Sequence, residues 1–96
     1  MRLFDLIFLQ YSVYIIFSTK LEKYYVGYSE DIHKRLKQHN EGFSTYTSRA
    51  NDWQIKYNEA FETRELAMKR EKEIKNKKSR KYIEYLIISS ERFRDG

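Results

Sequence analysis

Residues 11–27 read YSVYIIFSTKLEKYYVG. Side chains that are β-branched or aromatic, which favour strands, dominate residues 11–17 and return in residues 24–27. The polar residues between these two runs predict a turn. We therefore expect a β-hairpin, and Tyr14 and Tyr25 fall on its two strands.

A helix, a loop and a third strand are predicted to follow the hairpin. Ser29 can cap a helix over residues 30–40, because a serine side chain can accept a hydrogen bond from the first helical turn. Residues 42–52 are polar and rich in Ser and Thr, and we expect them to form an exposed loop. Apolar and polar side chains alternate over residues 53–61, which predicts a strand with one buried face.

A second helix is predicted over residues 64–75. Thr63 can cap it, and the residues that follow are mostly strong helix formers. The spacing of Leu66, Ala67 and Ile74 predicts that they form the buried stripe of this helix.

The last predicted helix begins after Ser79 and ends near Ser89. Ile83, Leu86 and Ile87 share one face of it, which we expect to be buried. Together the elements predict an α+β domain in which a three-stranded antiparallel sheet packs against three helices.

The chain length of 96 residues allows one small domain with a shallow, open site. We assign this domain to residues 11–88. In this interpretation residues 1–10 form an N-terminal extension or an extra strand, and residues 89–96 form a C-terminal tail.

The composition points to a polyanionic partner. Nineteen Lys and Arg against fourteen Asp and Glu give a formal net charge of +5, which favours nucleic acid, with a membrane surface as the alternative. The chain also contains nine Tyr, and exposed tyrosines can stack on bases.

Cysteine usage and hydropathy bear on the compartment. The sequence contains no Cys, which excludes thiolate metal sites and thiol nucleophiles and fits a reducing compartment such as the cytoplasm. The apolar segment at residues 3–17 is short for a membrane span and is interrupted by Asp5, Gln10 and Ser12. We therefore expect a soluble protein that does not insert into a membrane.

Arg35 and His39 are candidates for phosphate chemistry. On the first helix they lie about 40° apart and border the stripe formed by Ile32 and Leu36. A guanidinium can hold a phosphate oxygen, and an imidazole can relay a proton. The alternative is a solvated Arg and a half-buried His.

Glu71 and Glu73 are candidates for holding a metal ion. Both lie at the margins of the apolar stripe of the second helix, and periodicity does not choose between them. One carboxylate, waters and a substrate phosphate suffice for Mg²⁺. The alternative is an ion pair with Lys69, Lys75 or Lys78.

Tyr14 and Tyr25 are candidates for proton transfer. A phenol has a reference pKa of about 10, so it needs nearby positive charge to act as a base. Arg35 and the lysines could supply that charge. The alternative is that both are ordinary strand tyrosines.

These segments, taken together, resemble the GIY-YIG nuclease family, in which two short strands carry the motifs that give the family its name. Residues 12–14 (SVY) stand for the first motif and residues 25–27 (YVG) for the second, with ten residues between Tyr14 and Tyr25. The resemblance extends to small stand-alone members and to the catalytic domain of the excision-repair nuclease subunit, although Tyr28 stands where that branch has Lys.

The resemblance continues downstream over residues 11–87. Arg35 and His39 lie on a helix like the Arg-containing helix of the family, and residues 67–75 are similar to its Glu-containing helix. The loop residues Tyr46 and Thr47 are also similar to those of stand-alone members.

The resemblance implies roles for five residues. Tyr14 would be the general base or position the attacking water, and Tyr25 would support it. Arg35 would hold the scissile phosphate, and His39 would assist. Glu71 would bind the metal, Mg²⁺ or Mn²⁺, and the resemblance rather than periodicity singles it out.

The function implied by the resemblance is a metal-dependent endonuclease that hydrolyses phosphodiester bonds in DNA, in repair or in processing of DNA structures. One alternative is a nucleic-acid-binding module that cuts poorly, because Ser89 and Ser90 stand where many members carry a supporting Asn. The other is a nuclease subunit recruited by a protein partner that supplies targeting. The residues that we expect to contact nucleic acid are Tyr46, Arg49, Lys72 and Lys75.

Overall fold

The computed structural model describes residues 10–94. The extension or extra strand expected over residues 1–10 therefore lies, apart from Gln10, outside the described residues. In chain order the elements are β1 (Tyr11–Ser18), β2 (Lys23–Ser29), α1 (Ile32–Asn40), a 3-10 turn (Thr47–Arg49), β3 (Trp53–Phe61), α2 (Arg64–Asn76) and α3 (Arg80–Arg94).

The sheet is built around β1, which pairs antiparallel with β2 on one side and with β3 on the other. Tyr14 lies opposite Gly27 of β2 and opposite Asn58 of β3. The register with β3 shifts between Ile15 and Ile16, as it does at a β-bulge. The predicted hairpin and the α+β class, with three strands and three helices, are confirmed.

The two faces of the sheet are covered by different helices. Because side chains alternate along a strand, β1 gives Val13 and Ile15 to one face and Tyr14 and Ile16 to the other, and all four are buried. The first face packs against α2 and α3 through Ala67, Ile74 and Leu86. The face that carries Tyr14 packs against α1 and the following loop through Ile32, Leu36, Ala50 and Trp53.

The start of α1 differs from the prediction. Its cap is Asp31, whose carboxylate accepts a hydrogen bond from the Lys34 backbone N–H at 3.0 Å. Ser29 remains in β2, paired with Ser12, and its hydroxyl bonds only the backbone of Asp31. The prediction of Ser29 as the cap is therefore wrong, because the sheet holds Ser29 two positions before the cap residue Asp31.

The loop after α1 differs in part from the prediction of an exposed loop. Thr47 is fully buried and Ala50 is nearly so. The Trp53 indole N–H donates to the Thr47 carbonyl oxygen at 2.9 Å, and the Asn40 side chain bonds both the N–H and the carbonyl of Trp53, at 2.8 and 3.1 Å. These bonds hold the middle of the loop against Trp53.

The second helix is capped as predicted, because Thr63 Oγ1 accepts the Leu66 backbone N–H at 3.2 Å. Its buried stripe is narrower than expected. Ala67 and Ile74 are buried, whereas Leu66 is 47% exposed and does not belong to the core. One residue corresponds to about 100° of rotation on a helix, which turns Leu66 away from the sheet.

The third helix is longer than predicted. Ser79 Oγ accepts the Tyr82 backbone N–H at 3.1 Å, as an N-terminal cap does. Leu86 and Ile87 are buried as expected. The helix continues to Arg94, past the predicted end near Ser89.

Candidate active site

Tyr14 projects from the central strand across Gly27 of its neighbour. A Cβ atom placed on Gly27 would lie 2.5 Å from the Tyr14 phenol oxygen and 2.7 Å from the adjoining ring carbon. No side chain fits in that gap, so the glycine is what allows the phenol to lie over β2.

The Tyr14 phenol is held by a buried histidine. Its oxygen lies 2.8 Å from His39 Nε2, and the other ring nitrogen of His39, Nδ1, lies 2.6 Å from Thr47 Oγ1. His39 and Thr47 are both fully buried. The alternative of a half-buried His is therefore wrong, because the folded loop covers the imidazole and Thr47 supplies a partner for its second nitrogen.

The surroundings of this pair fix its protonation. Burial raises the pKa of the Tyr14 phenol above its usual range, and the nearby Tyr25 phenol adds to the rise. The positive charge of Arg35 opposes that rise. Burial lowers the pKa of His39 to about 4, and Arg35 acts in the same direction. At neutral pH the pair is therefore a neutral phenol bonded to a neutral imidazole.

Tyr25 is the centre of an aromatic cluster on the same face of the sheet. Its ring centroid lies 6.5 Å from that of Tyr14, 5.0 Å from that of His39 and 5.7 Å from that of Tyr46. The ammonium of Lys75 lies 5.7 Å from the Tyr25 centroid, within the range of a cation–π contact. Tyr25 therefore connects the loop after α1 to helix α2.

Glu71 and Glu73 occupy different environments. The Glu71 side chain is 20% exposed and pairs with Lys75 at 3.5 Å, on the side of α2 that borders the aromatic cluster. Its carboxylate is close enough to Tyr14 to contribute to the raised pKa of that phenol, after burial and Tyr25. Glu73 is 51% exposed and pairs with Arg70 at 3.5 Å. Of the two carboxylates, Glu71 is the one beside the tyrosines.

Arg35 lies at the opposite margin of the cluster, on α1. It is half-buried, and its Nη1 donates a hydrogen bond to Gln38 Oε1 at 3.0 Å. It lines an open hollow of about 330 Å³ together with Ser29 and Lys34. A guanidinium in this position can approach an anion from solvent while its charge acts on Tyr14 and His39.

The remaining predicted residues divide into two groups. Lys72 and Lys75 share an open hollow of about 570 Å³ with Glu71 along α2. Arg49 lines a separate pocket of about 340 Å³ with Lys20. The structure thus brings together most of the predicted site residues. The residues that it brings together are Tyr14, Tyr25, Arg35, His39, Tyr46, Glu71 and Lys75.

The donor set suits a metal that takes few protein ligands. Within residues 10–94 there is no group of three or more His, Cys, Asp or Glu side chains that could hold a metal ion. Glu71 is the carboxylate beside the tyrosines, and it could hold an ion that needs only one such ligand. Mg²⁺ fits such a site, because it keeps several waters and accepts substrate phosphate oxygens as ligands.

Two residues have structural tasks that the sequence did not assign to them. Gly27 makes room for the Tyr14 phenol, and Thr47 bonds His39. The sequence does contain an indication for Gly27, since a glycine inside a strand often marks a close approach of another group. No comparable signal exists for Thr47, which lies in a loop where Thr45 and Ser48 are exposed.

The sequence of the chain matches the model of a known domain family. A family model described as the GIY-YIG catalytic domain matches residues 10–83 of the chain. The chain therefore belongs to the GIY-YIG family, and the resemblance drawn from the sequence is confirmed.

No helix formed by the described residues has the length and apolar character needed to cross a membrane.

Several bacterial proteins are similar to this chain. A UPF0213 protein of Bacillus velezensis is 42% identical over 64 residues, covering 62% of this chain and 65% of the relative. A UPF0213 protein of Staphylococcus saprophyticus is 46% identical over 52 residues, covering 53% and 63%. The UPF0213 protein YazA of Bacillus subtilis is 35% identical over 75 residues, covering 74% and 76%.

The names of these relatives state no activity. The chain spans slightly less than two thirds of the length of the first two relatives and about three quarters of the third. No solved structure matches the chain.

Proposed function

We propose that this protein is a metal-dependent endonuclease that hydrolyses phosphodiester bonds in DNA. The observation that carries the proposal is the hydrogen bond between the Tyr14 phenol and the buried His39, beside Arg35 and Glu71. It supports a site with a route for a proton, a cation for a phosphate and a carboxylate for a metal, which are the parts that phosphodiester hydrolysis requires.

The proton route begins at the attacking water. Burial disfavours a free phenolate at Tyr14, so the phenol accepts the proton of the water only as it gives its own proton to His39 Nε2. Neutral His39 has a lone pair for that proton when Nδ1–H donates to Thr47 Oγ1. Because burial lowers the pKa of His39 to about 4, the imidazolium gives its proton back to the Tyr14 oxygen, and Tyr14 releases the proton that it took from the water to solvent.

Charge on the reacting phosphate is balanced from two sides. The water oxygen forms a bond to phosphorus as the bond from phosphorus to the leaving sugar oxygen breaks, and negative charge grows on the oxygens of phosphorus. The Arg35 guanidinium can donate two parallel hydrogen bonds to those oxygens. Glu71 would hold Mg²⁺ or Mn²⁺, which when bound supplies positive charge for the departing oxygen.

The choice of DNA rests on charge and on the exposed basic side chains. The net charge of +5 favours a polyanion, and Lys72 and Lys75 flank Glu71 on the exposed side of α2. Tyr46 is 44% exposed beside Tyr25 and can contact a sugar or base. Repair or processing of DNA structures is the role that we propose for such an activity.

The test is a cleavage assay with a matched pair of carboxylate variants. Purified protein is incubated with end-labelled plain, nicked and branched duplexes in Mg²⁺ or Mn²⁺, and products are resolved on denaturing gels. Glu71→Gln should abolish metal-stimulated cleavage. Glu73→Gln should cut like the parent protein, because the Glu73 carboxylate pairs with Arg70 and not with Lys75 beside Tyr25.

The outcomes separate the alternatives. Equal cleavage by the parent and the Glu71→Gln variant, or no cleavage by either, contradicts the proposal. Salt-sensitive DNA binding without any product would favour the binding module instead. Cleavage that appears only after a copurified protein is added would favour the recruited subunit.

A further inference from the structure

Asn58 is the residue of β3 that lies beside Tyr14. The two residues are direct partners in the antiparallel pair of β1 and β3, on the side of the register shift where the pairing is regular. Direct partners in such a pair point to the same face, with Cβ atoms about 5 Å apart. Asn58 therefore flanks Tyr14 on one side as Gly27 flanks it on the other.

This part of the sheet face is open to solvent. The Tyr14 ring leans across Gly27, away from β3, and α1 covers the other end of the face, near Ile16 and Trp53. Asn58 is exposed, and so is Ala60, which follows it on the same face. A substrate whose phosphate reaches Arg35 and Tyr14 would meet Asn58 as the next polar side chain on β3.

We propose that Asn58 is a substrate-contacting residue, whose amide donates a hydrogen bond to the phosphate adjacent to the scissile one. The inference rests on the proposed function, since it places Tyr14 at the scissile phosphate. An amide is suited to this position because it donates a hydrogen bond without adding a charge that would compete with Arg35 for the reacting phosphate.

The first test is DNA binding in a protein that does not cut. In a Glu71→Gln background, without divalent metal, the dissociation constant for a short duplex is measured by fluorescence anisotropy. Loss of one hydrogen bond to a charged group predicts that Asn58→Ala weakens binding by about tenfold. Asn58→Asp should weaken it further, because its carboxylate repels the phosphate.

The matched controls are Gln54→Ala and Gln54→Glu, which make the same chemical changes at another exposed position of β3. Gln54 is opposite Phe17, whose side chain lies on the other face of the sheet from Tyr14. Both control variants should bind DNA within about twofold of the background protein. Thermal unfolding of all variants checks that none of them loses the fold.

The second test locates the contact. Duplexes carrying a neutral methylphosphonate at one position near the mapped cut are bound to the background protein and to the same protein with the Asn58→Ala substitution. The effect of Asn58→Ala should disappear only when the phosphate next to the cut is neutral.

Each result decides between the proposals. If Asn58 variants bind no more weakly than the Gln54 controls, or if no single phosphate couples to Asn58, the inference about Asn58 is wrong. Cleavage that still depends on Glu71 would leave the proposed function standing in that case. If the background protein binds no DNA at all, the inference about Asn58 fails, and the cleavage assay on the parent protein and the Glu71→Gln variant decides the proposed function by itself.

Discussion

The Tyr14 phenol oxygen lies 2.8 Å from His39 Nε2, across 25 positions of sequence. The strand presents the phenol and the last turn of α1 presents the imidazole, so the pair exists only when the hairpin and the helix have docked. The function of the Tyr14–His39 pair in catalysis and its contribution to the free energy of unfolding can be measured with different substitutions.

Removing the phenol oxygen tests the proton route. Tyr14→Phe keeps the ring but removes the group that accepts the proton of the water, and we expect the cleavage rate to fall by about 100-fold or more. Tyr24→Phe is the control, since its hydroxyl makes only a long contact of 3.5 Å to Glu84. Single-turnover cleavage provides the measurement. Equal rates for the two variants would remove Tyr14 from the mechanism.

Adding one methyl group at Gly27 tests the packing of the phenol. Gly27→Ala places a Cβ 2.5 Å from the Tyr14 oxygen, and we expect a loss of about 1–3 kcal/mol in the free energy of unfolding. Urea denaturation gives the value. In a Tyr14→Ala background the same substitution should cost much less, because the clashing atoms are gone. An equal cost in both backgrounds would mean that the clash is not its cause.

The two histidines of α1 should differ in their contribution to stability. His39→Ala leaves a cavity and removes the partner of two buried hydroxyls, so we expect it to cost about 3 kcal/mol. His33→Ala, on the exposed face of the same helix, should change stability by less than about 0.5 kcal/mol. Both values come from urea denaturation, and similar values for the two variants would argue against a buried His39.

Stability should fall in mild acid because of His39. Burial lowers its pKa from 6.5 to about 4 in the folded protein, so the unfolded chain binds more protons between these values. The contribution of neutral His39 is complete above pH 6.5 and is lost as the pH falls towards 4, a change of about 3 kcal/mol. Urea denaturation across this interval measures it.

The control for this acid effect is His39→Gln. That variant has no imidazole to protonate and should lose less stability over the same interval. A loss as large as that of the parent protein would assign the effect to other groups. The hydroxyl of Ser18 and the Lys20 backbone N–H lower the pKa of Asp52 in the folded protein, so the stability that this carboxylate contributes is lost mainly as the pH falls through and below its ordinary pKa of 3.8.

Lys75 should weaken metal binding at Glu71. Its ammonium lies 3.5 Å from the carboxylate, and removing that charge with Lys75→Met should tighten Mn²⁺ binding by about fivefold. Electron paramagnetic resonance of free Mn²⁺ measures the affinity without an activity assay. The control is Lys81→Met, on the exposed face of α3. Equal affinities in the two variants would show that Lys75 does not compete with the metal.

The elements of the fold could be predicted because each has a strong local pattern. The strands of the hairpin, the alternation in β3 and the cap at Thr63 are all properties of a few neighbouring residues. The predicted elements differ from the structure where contacts with other elements, and not the local pattern, decide the conformation. Ser29 is as good a cap as Asp31 on chemistry alone, but the pairing of β2 holds it in the sheet.

The candidate site could be assembled in part from the sequence. Periodicity placed Glu71 and Glu73 at the margins of one stripe without choosing between them, and the resemblance to the family singled out Glu71. The burial of His39 depends on Thr47, which a loop brings back over the helix. Contacts of this kind join segments whose local patterns contain no information about each other.

The central position of β1 has a consequence for the working of the site. Backbone hydrogen bonds hold β1 from both sides, so local opening of either β2 or β3 leaves the Tyr14 backbone in place. Lys75, by contrast, sits on a helix surface with 46% of its side chain exposed, beside Glu71. The strand that carries Tyr14 is thus fixed before a ligand arrives, whereas the Lys75 side chain can adjust to the ligand.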